Sequence, residues 1–481
     1  MKLINPFIIL RILSIILLIE TISFLSCLPV ALIYEESLLP FLGSSIIVLI
    51  LSRLLYFLTR KVVINKITNR EGFLAVTLSW FAVILFGTLP FILSGSIPSF
   101  TDAFFESCSG FTTTGSSILN DIEALPFSIL FWRSLTHWIG GLGIIGLMII
   151  ILPSLNITGY QLFSMESSLK EKIHPRTRSI GFRILFIYLG LTVTEITFLY
   201  GGEMNLFDSI CHSFGTIATG GFSTKNSSIV NFSPYSQYII TLFMFLSGVS
   251  FVVYYYLVKL SFRRVRKNEE LRFYIASTFF AVVIATSILF VKSDRPFEPV
   301  FRESTFQVVS VLTCTGYSSA DYLEWPQTGI MLLFFLMFAG GCTGSTSGGI
   351  KMARHLIGLK NIRYVFVKII HPKAIYQIKL NEKPIPQKSN ISIISFIVLY
   401  LFIFFIGTIV VVITGSDPVS ASGAVAASMA NLGPGLGSVG PMSNYAHLPH
   451  LTKIVLCLLM VIGRLEIYTV FILFTRSFWK L

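Results

Sequence analysis

Charged residues are scarce in this chain of 481 residues: Asp, Glu, Lys and Arg make up only 12% of it, whereas hydrophobic residues make up 54%. The mean hydropathy is +0.79. A soluble protein of this length needs considerably more charge to cover its surface. This scarcity excludes an ordinary soluble domain and predicts a polytopic helical membrane protein.

Cysteine is also sparse, and it carries no pairing signature. No two of the six cysteines have CxxC spacing; they are Cys27, Cys108, Cys211, Cys314, Cys342 and Cys457. Neither a disulfide framework nor a zinc site is indicated. We expect each cysteine to be a small apolar packing residue.

Motifs of enzyme catalysis are missing as well. The sequence contains no HExxH, no GxSxG and no P-loop of the form GxxxxGK[ST]. A membrane enzyme is therefore disfavoured, and no covalently bound cofactor is expected. Control by a nucleotide would have to come from a partner protein.

What the chain has in abundance is long apolar blocks. A helix rises about 1.5 Å per residue, so roughly 20 apolar residues cross the hydrocarbon layer. Ten candidate spans of about this length or slightly under begin with apolar blocks, and the eighth block runs on past a glycine cluster. The blocks lie at residues 12–33, 39–58, 73–93, 128–152, 184–200, 238–257, 273–291, 329–339, 391–413 and 454–474. Arg11 and Glu20 interrupt the first hydrophobic stretch and another block follows it, so we expect a span there and not a cleaved signal peptide.

Basic residues concentrate in alternate connectors, although the formal net charge of +13 could suggest nucleic-acid binding. Lys and Arg dominate residues 60–70, 170–183, 259–272 and 351–388, whereas most of the other connectors carry carboxylates. This is the positive-inside pattern, which predicts that both termini are cytoplasmic.

Four of the outward-facing connectors repeat one pattern. They read SCSGFTTTGSS, SFGTIATGGFS, VSVLTCTGYSS and ASMANLGPGLG, and they align on Gly115, Gly221, Gly316 and Gly433. Asp102, Asp208, Glu303 and Ser420 each precede one of these glycines by thirteen residues. Three of these four are good helix N-caps, and carboxylates suit the start of a helix. We therefore predict four short helices that re-enter the membrane from outside, each ending in an extended strand.

These strands have the composition of a selectivity filter. Rings of backbone carbonyl oxygens can replace the water shell of a cation, while glycine supplies positive φ and threonine supplies hydroxyl ligands. The strands contain no carboxylate, which argues against a divalent-cation site. The predicted filter residues, where K⁺ would be the only bound metal, are Thr112, Thr113, Thr114, Gly115, Thr219, Gly220, Gly221, Thr313, Cys314, Thr315, Gly316, Asn431, Leu432 and Gly433.

The second span of each repeat carries a glycine at similar depth, namely Gly141, Gly248, Gly341 and Gly463. The third of these spans is exceptional, because AGGCTGSTSGGIK at 339–351 cannot continue as a stable helix when each glycine costs about 1 kcal/mol. Broken spans at mid-membrane depth hold ion-handling backbone. We predict a gate at 340–349, with the residues Gly340, Gly341, Thr343, Gly344, Ser345, Gly348 and Gly349.

Arg464 lies at the matching depth of the last span. A buried arginine in a membrane costs from about 3 kcal/mol upward unless it faces water or a partner. Glu466 is an awkward partner because residues two apart do not share a helix face. We interpret Arg464 as a pore-facing electrostatic barrier that belongs to the gate. Lys351 is either a second positive charge of the gate or a cytosolic topology residue.

Together these motifs resemble the potassium transporter superfamily that contains the bacterial Trk and Ktr membrane subunits and the plant high-affinity (HKT) transporters. The resemblance covers nearly the whole chain, and the two extra N-terminal spans favour the Trk type. Its most specific parts are SGFTTTG, IATGGFS, TCTGY and NLGPG in this order. In plant relatives a serine at the first filter glycine goes with Na⁺ preference; Gly115 stands there, so K⁺ is favoured.

The resemblance implies an all-α polytopic fold with four span–pore-loop–span repeats in pseudo-fourfold arrangement and two extra N-terminal helices. It implies potassium uptake across the bacterial cytoplasmic (inner) membrane, with K⁺ as the transported ligand, by a homodimer that is not an enzyme. A cytosolic nucleotide-binding ring of the TrkA type would regulate it, and NAD or ATP would act only through that ring.

The repeats divide the chain into five predicted segments. These are an N-terminal two-span segment at 1–72 and pore repeats at 73–155, 156–262, 263–390 and 391–481. The third repeat includes the broken span and a basic cytosolic connector, whose residues 351–388 are the expected docking surface for a partner.

One alternative remains open, in which the protein is a carboxylate-coupled secondary transporter. Glu195 or Glu466 would then carry a proton alongside the cation, or Na⁺ would be cotransported. Against this alternative, we expect Glu20, Glu195, Arg133 and His137 to serve packing or interhelical hydrogen bonding and not a proton path. Arg133 and His137 share a helix face at i, i+4.

Overall fold

A computed structural model describes residues 4–61, 68–146, 173–373 and 377–479. Helices dominate these residues, and the strands among them are the two-residue β1 (Lys379–Leu380) and β2 (Lys383–Pro384), paired antiparallel. The predicted all-α polytopic class is confirmed.

The helices follow the repeat pattern of the sequence. In chain order they are α1 (Pro6–Leu25), α2 (Leu28–Ile33), α3 (Leu39–Leu58), α4 (Asn69–Phe86), α5 (Leu89–Leu93), α6 (Phe100–Phe111), α7 (Phe127–Gly146), α8 (Ile173–Tyr200), α9 (Leu206–Ala218), α10 (Pro234–Ser247), α11 (Phe251–Val258), α12 (Phe262–Arg266), α13 (Glu269–Lys292), α14 (Phe297–Leu312), α15 (Gln327–Leu336), α16 (Met352–Ile370), α17 (Gln387–Ile413), α18 (Pro418–Ala430), α19 (His450–Arg464), α20 (Ile467–Phe471) and α21 (Arg476–Trp479).

Six helical segments of the described chain are long and apolar enough to cross a membrane. They are Pro6–Ile33, Leu39–Leu58, Asn69–Leu93, Gly181–Tyr200, Glu269–Lys292 and Gln387–Ile413. Helix α7 is a further apolar helix; the end of its predicted block, 147–152, lies outside the described residues. On the faces away from the core, apolar side chains such as Phe402, Phe405 and Ile409 are exposed. Such faces are what lipid chains cover in a polytopic protein.

Two predicted spans bend sharply between two helices. The segment predicted at 238–257 is α10 and α11, which meet at an angle of 94°, and the segment at 454–474 bends by 112° between α19 and α20. The predicted span that begins at 329 and runs on past the glycine cluster is helical only in α15, which ends at Leu336. A hydropathy pattern shows how long an apolar segment is, but it does not show whether the helix axis bends within that segment. The bend after Gly248 lets its carbonyl oxygen accept a hydrogen bond from the Cys342 amide at 2.8 Å.

Each repeat contributes a first span, a short pore helix and a second span. The pore helices are α6, α9, α14 and α18, and each is packed beside the second span of its own repeat or of a neighbouring one. Helices α1 and α3 pack on each other, and α1 also packs on α4. The segment boundaries given above stay predictions.

The predicted N-caps of the pore helices are wrong by three residues in three repeats. Asp102, Asp208 and Ser420 lie in the first turn, and the caps are Ser99, Asn205 and Asp417. The side chains of Asn205 and Asp417 accept hydrogen bonds from the amides of Asp208 and Ser420, at 2.7 and 2.9 Å. This is ordinary capping, in which the cap serves the amide three residues later.

Glu303, the remaining residue of the aligned set, lies further into its helix than the other three. Glu303 lies inside α14, whose N-cap is Pro296. Its two carboxylate oxygens accept hydrogen bonds from the Trp325 indole at 2.7 Å and from Arg295 at 2.5 Å. The carboxylate at this position therefore ties a pore helix to the segments beside it and does not begin the helix.

A buried ion pair joins the first pore helix to the second span of its repeat. The Arg133 Nε atom lies 2.8 Å from the Glu106 Oε1 atom, and the two side chains are 1% and 0% exposed. Glu106 also accepts a hydrogen bond from the Ile118 amide at 3.0 Å, and Arg133 donates to the Ser223 carbonyl at 3.1 Å. Because both charges are fully buried, removing one leaves the other uncompensated.

We expect Arg133→Ala to destabilise the protein by about 3–5 kcal/mol, because it leaves the Glu106 carboxylate buried without its partner. Thermal unfolding of the purified protein in detergent measures this change. The control is Lys225→Ala, which removes an exposed pair with Glu123 and should cost less than about 1 kcal/mol. Equal losses for the two variants would contradict the assignment.

Candidate functional site

The four pore helices end in the same backbone conformation. The residue two before each aligned glycine has a left-handed conformation: Thr113, Thr219, Cys314 and Asn431 have φ of 52°, 54°, 56° and 54°. The next amide turns back onto the helix, as in the 2.8 Å bond from the Thr114 amide to the Ser109 carbonyl and the 2.9 Å bond from the Thr315 amide to the Ser310 carbonyl. A single residue in the left-handed conformation at the end of each helix directs the chain away from the helix axis.

The aligned glycines have positive φ as well. The angles are 83° at Gly115, 82° at Gly221, 83° at Gly316 and 100° at Gly433. A non-glycine residue in this region costs roughly 1–2 kcal/mol. Each strand therefore has two left-handed residues separated by one, and the second is glycine in every repeat.

A close approach between neighbouring strands is the second reason for glycine. An ideal Cβ on Gly115 would lie 2.2 Å from the Gly220 carbonyl oxygen, and one on Gly221 would lie 2.2 Å from that of Thr315. An ideal Cβ on Gly316 would lie 1.8 Å from the Leu432 carbonyl oxygen, and one on Gly433 would lie 2.7 Å from the Thr114 carbonyl oxygen. Each glycine thus meets the residue before the glycine of the next repeat, and the four contacts close a ring.

The ring is lined by carbonyl groups. In the part of the chain that the structure describes, the carbonyl oxygens of Thr114, Gly220, Thr315 and Leu432 accept no protein hydrogen bond. Unsatisfied carbonyl oxygens are rare inside proteins, and they are the ligands that replace the hydration shell of an alkali cation. The predicted filter residues of the four repeats are therefore brought together.

Tyrosines hold the chain just beyond the filter glycines. The Tyr317 hydroxyl donates to the Phe222 carbonyl at 3.1 Å, and the Tyr445 hydroxyl donates to the Gly433 carbonyl at 2.7 Å. Both side chains are buried. Sequence reasoning missed these two supports; Tyr317 directly follows a filter glycine, which was the available signal, whereas Tyr445 carries none.

His137 serves the same support. Its Nδ1 atom lies 2.8 Å from the Gly110 carbonyl oxygen and its Nε2 atom lies 3.1 Å from the Phe222 amide nitrogen. An amide can only donate, so Nε2 accepts and the ring proton is on Nδ1, where it bonds Gly110. The expectation of interhelical hydrogen bonding for His137 agrees with this geometry.

The fourth strand lacks threonine, and Asn431 takes its place. In repeats one and three, hydroxyl groups pair at 2.8 Å between Thr112 and Thr114 and between Thr313 and Thr315. The Asn431 amide nitrogen instead donates to the Thr114 hydroxyl at 3.0 Å and to the Met460 carbonyl at 2.9 Å. Asn431 thus ties the fourth strand to the first.

The predicted gate segment is non-helical and lies directly beneath the filter. Residues 340–348 are all buried. The Thr346 hydroxyl donates to the Ile217 carbonyl at 3.0 Å, near the end of the second pore helix. An ideal Cβ on Gly348 would lie 2.0 Å from the Ala430 carbonyl oxygen at the end of the fourth. The loop therefore contacts the C-terminal ends of at least two pore helices.

Arg464 binds this loop and not Glu466. Its guanidinium donates to the Thr346 carbonyl at 2.7 Å and to the Gly140 carbonyl at 3.3 Å, and the residue is 3% exposed. Glu466 pairs with Arg354 at 2.6 Å. One arginine thus bridges the loop of repeat three and the second span of repeat one.

Lys351 is buried and donates to the Ser347 carbonyl, so it is not an exposed topology residue. It lines a small cavity beneath the loop together with Arg354, Arg464 and Glu466. This cavity contains three cationic side chains and one anionic side chain. A cation that reaches it meets an excess of positive charge.

The two lone membrane acids are both buried. Glu20 and Glu195 are 2% and 0% exposed. Within the described ranges, neither carboxylate has a hydrogen-bond partner. Glu195 belongs to α8, which packs against the second pore helix.

The fold and the site together define a multi-pass membrane protein in which four pore loops of one chain close a single ring. Comparison with known proteins agrees with this class. The model of a family described as "TrkH: Cation transport protein" matches residues 40–481. The chain belongs to the TrkH family.

Similar proteins cover the chain almost end to end. The Trk system potassium uptake protein TrkH of Halomonas elongata is 35% identical over 480 residues, which is 98% of this chain and 99% of that protein. The TrkH protein of Escherichia coli K12 is 37% identical over 94% of each chain. The crystal structure of the potassium transporter TrkH from Vibrio parahaemolyticus matches with a TM-score of 0.89 at 32% identity, covering 98% and 99% of the two chains.

We expect Gly221→Ala to destabilise the fold by roughly 2–4 kcal/mol, from overpacking against the Thr315 carbonyl plus the cost of positive φ. The measurement is the thermal midpoint in detergent. Gly190→Ala is the matched control, because it lies in α8 with nothing within 4 Å of an added Cβ. A midpoint for Gly221→Ala equal to that of the control would refute the close approach of the strands.

Proposed function

We propose that this protein takes up potassium ions across the bacterial cytoplasmic membrane through the four-strand filter. The observation that carries the proposal is the ring of glycines, each seated against the carbonyl of the next repeat. Four carbonyl oxygens that accept no hydrogen bond from the described residues suit a dehydrated monovalent cation, which needs ligands that do not bind it too tightly. The relatives named as potassium uptake proteins support the same assignment.

Selectivity for K⁺ over Na⁺ is assigned to the same ring. Gly115 at the first filter position has φ of 83°. A serine there would have to adopt this conformation and would displace the Gly220 carbonyl. Such a displacement changes the distance between carbonyl ligands and the ion, to which selectivity is sensitive.

The loop 340–349, of which residues 340–348 are buried, is the proposed gate, and Arg464 holds it in place. The loop occupies the space below the ends of the pore helices, so ions leaving the filter cannot pass while it stays in place. The bond from Arg464 to the Thr346 carbonyl holds the loop, and its positive charge repels cations. Opening therefore requires the loop to move away from Arg464.

The remaining proposals concern assembly and orientation. Both termini face the cytoplasm, because the basic connectors follow every second span. The protein acts as a homodimer with a nucleotide-binding regulatory ring of the TrkA type. The ring would dock on the basic connector at 351–388, and NAD or ATP would act through it. The word "system" in the names of the relatives supports a multi-component assembly.

A second candidate function is cation transport coupled to protons. It is favoured by Glu195, a buried carboxylate without a hydrogen-bond partner among the described residues. Glu466 is a weaker candidate carrier, because its carboxylate pairs with Arg354. The two candidate functions differ in what drives uptake.

The filter proposal is tested by ⁸⁶Rb⁺ uptake into proteoliposomes that contain the purified protein. We expect concentrative, K⁺-competed uptake driven by a membrane potential alone. Gly316→Ser should reduce it by at least about tenfold, because an added Cβ would meet the Leu432 carbonyl. Gly190→Ser is the control and should transport normally. Uptake that requires a proton gradient, is abolished in Glu195→Gln and ignores Gly316→Ser would instead establish coupled transport.

The gate proposal predicts that Arg464→Ala raises ⁸⁶Rb⁺ uptake in the absence of any partner protein. Losing the bond to Thr346 loosens the loop, and we expect an increase on the order of tenfold. Arg476→Ala removes an exposed arginine of the same repeat and should leave uptake unchanged. Unaltered uptake in Arg464→Ala, with protein of normal stability, would count against a gate at this loop.

A further inference from the structure

Glu270 is a buried carboxylate that contacts both the gate loop and the helix after it. It lies in the first turn of α13 and is 0% exposed. Its Oε1 atom accepts a hydrogen bond from the Thr343 amide at 2.6 Å and another from the Ala353 amide at 2.9 Å. Thr343 belongs to the loop, and Ala353 belongs to the first turn of α16. One oxygen atom thus ties together the two ends of the segment 343–353.

These bonds are stronger than the neutral contacts of the loop. Hydrogen bonds from backbone amides to a carboxylate are charge-assisted, and a negative charge is favourable at the N-terminus of a helix such as α16. By contrast, the amides of Cys342 and Phe251 pair with the carbonyls of Gly248 and Gly344, at 2.8 and 3.0 Å. Glu270 is therefore a charged contact of the loop on α13, in addition to the contact that Arg464 makes with Thr346.

The buried carboxylate of Glu270 depends on the loop for its hydrogen bonds. The second carboxylate oxygen, Oε2, is buried and has no hydrogen-bond partner in the described part of the chain. A buried carboxylate that lost the Thr343 and Ala353 amides would be poorly compensated, which is costly. Displacement of the loop from its blocking position therefore has to break these two bonds or move α13.

We propose that Glu270 is a positioning residue that holds the gate loop in its blocking conformation. This inference rests on the proposed function of residues 340–349 as the gate. Glu270 acts through the loop backbone and does not contact the ion. Its loss should therefore change how often the pathway is open, and it should leave unchanged the preference among ions set by the filter.

The test is ⁸⁶Rb⁺ uptake by the full-length protein in proteoliposomes without a partner. We expect Glu270→Ala to raise uptake at least about tenfold, because the amides of Thr343 and Ala353 both lose a charge-assisted hydrogen bond. Glu270→Gln should raise uptake less, because the amide oxygen still accepts. The ratio of inhibition by K⁺ and Na⁺ should not change. Glu269→Gln is the matched control: it removes the neighbouring carboxylate, which pairs with Lys360 and not with the loop.

Each outcome decides the proposal. Unchanged or reduced uptake in Glu270→Ala, with a normal thermal midpoint, overturns it, as does a rise accompanied by an altered K⁺/Na⁺ ratio. If the alanine variant does not fold, Glu270→Gln decides alone: raised uptake supports the role and unchanged uptake overturns it. Raised uptake in Arg464→Ala but not in the Glu270 variants would reject Glu270 and keep the gate. No effect in either would reject the gate itself.

Discussion

The constraint on which this structure depends is that backbone polar groups cannot be left unsatisfied in contact with lipid. Non-helical backbone at membrane depth is possible only where protein encloses it or where it lines a path for water and ions. The four filter strands and the loop below them are such backbone, and both are buried. The surrounding spans therefore serve to enclose irregular segments as much as to cross the membrane.

Within the enclosed region, backbone segments approach each other so closely that only glycine fits at several positions. The filter glycines permit contact with neighbouring carbonyls, and the glycines of the second spans let the gate level pack directly beneath. An ideal Cβ on Gly463 would lie 2.2 Å from the Met429 carbonyl, and one on Gly140 would lie 2.0 Å from the Phe111 carbonyl. The second spans of repeats one and four are thus joined to pore helices through close backbone contacts, and tightly packed groups of this kind transmit small displacements.

Local pattern predicted the four pore loops, because each needs the same glycine two residues after its left-handed residue. It also predicted the broken third span, whose glycine content forbids a helix. The helix starts were placed too late, since Asp208 and Ser420 resemble caps but are the residues that caps serve. The bends after Gly248 and Arg464 and the contacts of Glu270 were not predictable, because they depend on partners distant in sequence.

Because all four strands belong to one polypeptide, the side chains of the ring can differ from one repeat to the next. Thr113, Thr219, Cys314 and Asn431 occupy equivalent left-handed positions with a hydroxyl, a thiol or an amide. In an assembly of four identical chains, any change would appear in every quadrant at once. Here each quarter of the ring can change separately. Under the proposed function, a new ion preference can therefore be reached through intermediates in which only one side of the ring has changed.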